Sequence, residues 1–156
     1  GHVYLVTFTT INRMPVFLGP ALAMRACKAL TDHRAWTQSE LLAWVLMPDH
    51  WHGLLRLGEG DTLPRLVGRL KANSGREARN PAIPGHVWAR AFHDRAMRTG
   101  ESLESVARYI VMNPVRARLV ASPAAYPFWG AVWDGLWAWE GQSWIAADAA
   151  CVLDLP

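Results

Sequence analysis

The sequence predicts an α+β domain, an antiparallel sheet with helices packed on it. A run rich in β-branched and aromatic residues at 3–10 and two short apolar stretches at 41–47 and 50–57 read as strands in the first third of the chain. Segments with the apolar spacing of amphipathic helices follow, at residues 63–79 and 101–113. Strands in front with helices interleaved behind are the order of a two-layer α+β architecture. At 156 residues the chain has the length of a single domain, taken as residues 1–156, with a tryptophan-rich acidic segment from about residue 120.

In order, residues 3–10 form a first strand, 13–20 a loop, and 21–30 a short helix burying Leu22, Ala26, Ala29 and Leu30. Residues 41–47 are a second strand and 50–57 a third. Pro48 between them lacks a ladder donor, so a bend or bulge is expected just before His50. Residues 58–61 make a turn, Thr62 stands at an N-cap position, and the helix from Leu63 carries Pro64 in its first turn and a buried stripe of Leu63, Leu66, Val67 and Leu70. Residues 80–85 are a proline-containing loop, 87–93 a further strand, and 101–113 a second long helix that Pro114 breaks.

Charge is unevenly distributed. The net +3 divides into +1 over residues 1–55, +6 over 56–118 and −4 over 119–156, and fourteen of the sixteen cations are arginine. Arginine suits bidentate phosphate and base-edge contacts, so a nucleic-acid partner is the expectation. The candidates for those contacts are Arg65, Arg69, Lys71, Arg76 and Arg79 on one helix, with Arg90, Arg95, Arg98, Arg116 and Arg118; His93 is a weaker one. Two widely separated cysteines match no metal or redox spacing, no signal-peptide pattern opens the sequence, and no apolar run is long enough to span a bilayer. The expectation is a soluble cytoplasmic protein with no membrane association. Five of the nine tryptophans crowd the end of the chain (Trp129, Trp133, Trp137, Trp139 and Trp144) among acids and no cations, which favours packing over base stacking.

The chemistry centres on His50-Trp51-His52. Alternation along a strand sends both imidazoles to one face and Trp51 to the other. Two imidazoles side by side can grip a divalent ion and leave coordination positions open. The same pattern also suits ordinary histidines on a half-exposed strand. On the last helix Tyr109 and Asn113, four residues apart, share one face, with Ser102 and Ser105 near the same meridian.

These residues carry a resemblance. His50-Trp51-His52 is a histidine-hydrophobic-histidine (HUH) motif, and the chain resembles the single-tyrosine HUH transposases, specifically the REP-associated tyrosine transposases of bacteria. The likeness runs through Thr7-Phe8-Thr9, Asn12-Arg13, residues 45–52, Leu70-Lys71, Val87-Trp88, Phe92-His93-Asp94-Arg95 with Arg98, and most specifically residues 109–117. It implies a ferredoxin-like HUH fold with the histidines on a central strand. It also implies His50 and His52 as metal ligands and catalytic residues, Asn113 as the polar third ligand and Tyr109 as the nucleophile. The implied cofactor is Mg²⁺ or Mn²⁺, and the implied partner is single-stranded DNA carrying REP hairpins, met by a monomer or homodimer. The activity implied is DNA cleavage and strand transfer. Asp49, where many relatives carry Asn, and Arg118, where Gly is common, depart from the pattern. The alternatives are a non-cleaving hairpin-binding derivative, a zinc hydrolase, and an HUH replication initiator or relaxase. The hydrolase lacks a strong third ligand, and the size of the chain and its one suitably placed tyrosine disfavour the initiator or relaxase.

Overall fold

The computed structural model describes residues 1–82 and 85–133. Its sheet contains β1 (Val3–Thr9), β2 (Glu40–Met47), β3 (His50–Arg56), β4 (His93–Ala96) and β5 (Trp129–Ala131) in the order β4-β1-β3-β2-β5. Every pairing is antiparallel. The helices are α1 (Pro20–Leu30), α2 (His33–Trp36), α3 (Leu63–Glu77), α4 (Leu103–Val111) and α5 (Asn113–Arg116). The path β1-α1-β2-β3-α3-β4 with this strand order is the ferredoxin-like arrangement expected, extended by β5 at the β2 edge.

Alternation sorts the strand residues into two apolar layers. Val6, Phe8, Leu46, Trp51 and Leu55 join residues of α1, α2 and α3 in one cluster. Leu5, Val45, Met47 and Leu54 join Val106, Ala107 and Ile110 of α4 in the other. On β3 the even-numbered residues therefore face α4, and His50 and His52 belong to that set. Trp51 faces the opposite layer, where it is fully buried and stacks on Phe8 with centroids 4.9 Å apart.

Several expectations are corrected. The residues expected to form a strand at 87–93 do not form one: β4 starts at His93, and Val87 and Trp88 are buried beside β1, touching its end through one bridge from Trp88 to Thr10. Their apolar side chains are drawn into the core, with Trp88 Nε1 donating to Ser74 Oγ at 2.9 Å, whereas an edge strand needs only backbone pairing, which the polar residues 93–96 supply. The distortion expected at Pro48 is a two-residue hairpin turn with Met47 paired to His50, and the register shift lies instead between Leu41 and Ala43. Thr62 occupies the N-cap of α3 without a side-chain capping bond; its N–H donates to Asp61 Oδ1 at 2.9 Å. Ser102 caps α4 by accepting from Ser105 N–H at 3.2 Å. Pro114 starts α5 instead of ending a helix, because a first-turn residue needs no intrahelical N–H. The 13–20 loop holds a 3₁₀ turn at Val16–Leu18 that buries Phe17, and another at Ile11–Arg13 leads into it. Trp129 lies in β5 and Trp133 packs beside the α4 cluster; Trp137, Trp139 and Trp144 lie outside the described residues. Among the described residues no helix is long and apolar enough to cross a membrane.

Candidate active site

β3 is the middle strand, paired along its length by β1 and β2, so the backbone beneath the histidines is held from both sides. The two rings lie edge to face with centroids 4.6 Å apart. Each Nδ1 has a partner: that of His50 meets Asp49 Oδ1 at 2.6 Å, and that of His52 meets Thr7 Oγ1 at 2.6 Å. A carboxylate only accepts, so Nδ1 of His50 carries the proton and Nε2 presents a lone pair. At His52 the hydroxyl takes either role. Burial disfavours the imidazolium at both rings: His50 is pushed below its ordinary range despite Asp49, and His52 is pushed down to about 3. Neutral imidazoles with Nδ1 tied and Nε2 available are the form in which histidine binds metal.

The turn that carries Asp49 is clamped. Thr10 donates to Asp49 O through both N–H, at 2.8 Å, and Oγ1, at 3.1 Å. Arg13 Nη1 reaches Asp49 Oδ2 at 3.1 Å. Asn12 and Arg13 hold φ of 53° and 51°, a left-handed pair without glycine, which fixes the approach of Arg13 to the turn.

The tyrosine helix lies on the same face. α4 packs on β2 and β3, in the cluster that contains Leu54, two residues beyond His52. Tyr109 is half-buried on it. Arg116 lies over the Tyr109 ring, with Cζ 3.6 Å from the centroid, and its charge contributes to the lowered pKa of His52. Asn113 Nδ2 donates to the carbonyls of Tyr109 and Ile110 at 3.3 and 3.1 Å, closing the end of α4. Its Oδ1 meets no donor among the described residues, which leaves it available as a hard ligand. Among the described residues no three His, Cys, Asp or Glu side chains cluster for a metal. His50 and His52 offer two imidazole donors and Asn113 an amide oxygen at the end of the helix on the same face, donor types compatible with a divalent ion.

The basic residues named from the sequence differ in what already engages them. Arg69 pairs with Asp61 and donates to Ala35 O at 3.1 Å. Lys71 donates to the carbonyls of Ala89, Arg90 and Ala91 at 3.0, 3.2 and 2.7 Å. Arg95 forms a two-point pair with Glu101 at 2.9 and 2.7 Å. Arg76 donates to Asn73 at 2.8 Å, while Arg65 and Arg98 are exposed. Thr7 and Arg13 also support the histidines, Thr7 directly and Arg13 through Asp49. Thr7 sits directly opposite His52 in the β1–β3 register, which the sequence signals once that register is known. Nothing in the sequence signals the Arg13–Asp49 contact, which depends on the 10–17 loop.

A middle strand presenting two histidines toward a helix that bears a tyrosine defines the HUH class of α+β domain. The family model described as "Transposase IS200 like" matches residues 1–113, and the chain belongs to that family. Among solved structures, the chain is similar to a REP-associated tyrosine transposase bound to a REP hairpin, with 23% identity, a TM-score of 0.65, and 83% of this chain and 76% of that one covered. It is also similar to a candidate transposase from Deinococcus radiodurans R1, at 22% identity and a TM-score of 0.53, covering 75% of this chain and 84% of that one. Both are likenesses of fold. No curated protein matches the chain.

Proposed function

We propose that the protein is a metal-dependent single-stranded DNA endonuclease and strand transferase that acts on REP hairpin DNA through a 5′-phosphotyrosine intermediate. The observation that carries this reading is the placement of His50 and His52 on the face of the sheet that α4, the helix bearing Tyr109, packs on, in a member of the IS200-like transposase family. The hairpin-bound relative supports the choice of DNA. Tyr109 Oη forms a bond to phosphorus as the bond from phosphorus to the preceding 3′ oxygen breaks. The phenolic proton passes to solvent, and the departing oxygen takes up a proton as a 3′-OH. The phosphodiester energy is retained in the phosphotyrosine, so a second 3′-OH can reverse the step and join strands without a nucleotide cofactor.

A phenol is almost wholly protonated at neutral pH and is a weak nucleophile without assistance. Mg²⁺ or Mn²⁺ held by His50, His52 and Asn113 would supply charge neutralisation and alignment at the phosphate. Asp49 and Thr7 keep the two imidazoles in the ligating orientation. Arg65, Arg79, Arg90 and Arg98 are candidate backbone contacts with no side-chain bond among the described residues, and Arg76 is tied only to Asn73, whereas Arg69, Lys71 and Arg95 would have to serve DNA while holding the domain together.

The test uses hairpin oligonucleotides labelled at the 5′ or 3′ end, incubated with protein and Mn²⁺ or EDTA. A denaturation-resistant adduct carrying the DNA 3′ of the cut, dependent on metal and lost in Tyr109→Phe, is the expected result. Tight hairpin binding with no adduct would replace this reading with that of a non-cleaving DNA-hairpin-binding protein.

A further inference from the structure

The short α5 turn carries a cation to the tyrosine, and among the described residues that cation has no acidic partner. Arg116 lies seven residues beyond Tyr109, in the separate short α5 that folds it back onto the tyrosine. Its N–H bonds Met112 O at 3.0 Å, and Nη1 donates to Tyr109 O at 3.0 Å while the guanidinium plane covers the ring. The arginines Arg13, Arg34, Arg56, Arg69, Arg95 and Arg108 each meet a carboxylate. Arg116 meets none among the described residues. Partial desolvation opposes its charge, with only Tyr109 working the other way, and that charge is felt at His52. Nε and Nη2 have no hydrogen-bond partner among the described residues.

Arg116 is exposed, so its unused donors beside the phenol are open to an incoming anion. Its planar fork matches the non-bridging oxygens of a phosphate diester. The anion that has to reach Tyr109 is a phosphodiester. We propose that Arg116 is a catalytic residue of strand cleavage, binding a non-bridging oxygen of the linkage that Tyr109 attacks and holding the phenol in line through the stacked ring. This deepens the proposed function and rests on it: the contact is with the scissile linkage, not with the hairpin stem. The phosphorus keeps both non-bridging oxygens through the step, so Arg116 neutralises charge and transfers no proton.

Two measurements test this. The first compares Arg116→Gln and Arg116→Lys with the wild-type protein in single-turnover adduct formation at saturating hairpin DNA. Arg116→Gln should slow the step on the order of 100-fold, with hairpin affinity changed less than about threefold, and Arg116→Lys should recover part of the rate. Weakened affinity at an unchanged rate would overturn the proposal. The second measurement needs no cleavage. In a Tyr109→Phe background, single-stranded oligonucleotides carrying one neutral methylphosphonate are stepped linkage by linkage along the strand. Protein with Arg116 should lose affinity at one linkage, within the same roughly threefold bound, and protein with Arg116→Gln should bind that oligonucleotide and its unmodified form alike. If no linkage depends on Arg116, the contact does not exist. If one does, but the wild-type protein forms no adduct, the strand-transfer reading fails while the arginine contact stands.

Discussion

Replacing Gly53 with alanine should destabilise the domain far more than one methyl group suggests. A Cβ at Gly53 would lie 2.5 and 2.6 Å from Cζ2 and Cζ3 of Trp51 and nearer still to Cη2, where ordinary carbon contacts are about 3.5–4.0 Å. The ring has no room to yield. It is 0% exposed, stacked on Phe8 at an interplanar angle of 22°, and Phe8 meets the edge of Trp88 at 4.7 Å. Overpacking costs about 1–3 kcal/mol, a displaced aromatic pair about 0.5–1.5 kcal/mol, and alanine regains about 0.5–1 kcal/mol of backbone entropy. The net expectation is a loss of about 0.5–4 kcal/mol, centred near 2 kcal/mol, a large share of a domain stability of about 5–15 kcal/mol. Urea denaturation followed by far-UV circular dichroism measures it, since nine tryptophans make fluorescence a composite signal. The decisive comparison is a double-mutant cycle with Trp51→Leu, which removes the obstructing ring. Gly53→Ala should be neutral or slightly stabilising in that background. If the two changes add to within about 0.5 kcal/mol, the indole does not constrain Gly53 and the reasoning is wrong.

Other outcomes follow from the same contacts. Thr7→Val keeps a β-branched strand residue but removes the partner of His52 Nδ1; Mn²⁺ affinity by titration calorimetry should fall about 10- to 100-fold with the unfolding midpoint little changed. Lys71→Met should lower the unfolding free energy by about 2 kcal/mol, because three carbonyls lose a charged donor, and the salt dependence of hairpin binding should not change. Arg69 holds the Asp61 carboxyl below the ordinary carboxylate range. The stabilisation from that pair is therefore complete above about pH 4 and is lost as pH falls through the lowered folded value. Asp61→Asn should be less stable than wild type near neutrality, and the gap should close at lower pH; a constant gap in acid denaturation curves would exclude the ion pair as its source.

The strands and helices that pattern reveals are those whose side chains do the packing. β1, β2, β3 and α3 read directly from alternation or helical spacing because one face of each is buried. β4 escaped notice because its stability lies in backbone pairing to β1, and His93-Asp94-Arg95-Ala96 has no apolar face to announce it. β5 contributes three residues and is defined by pairing to β2, a contact between segments some eighty positions apart. At the site, the two histidines and the tyrosine are local signals with local spacing. What the spacing could not show is that Asp49 and Thr7 set the rings, or that Arg116 covers Tyr109, since those contacts depend on hairpin geometry and on a four-residue helix. The charge count likewise treated Arg69, Lys71 and Arg95 as equivalent to exposed arginines, although each is committed within the fold.

The place of β3 in the strand order also divides the site in time. A strand bonded on both flanks gives up its amide protons only when the sheet as a whole opens, so deuterium should enter the backbone at His52 among the last positions in the molecule. The nine-residue α4, seated through Val106, Ala107 and Ile110 on one apolar layer and outside that ladder, should exchange earlier. Protection at His52 outlasting that at Tyr109 would place the fixed half of the site on the strand and the slower clock with the histidines.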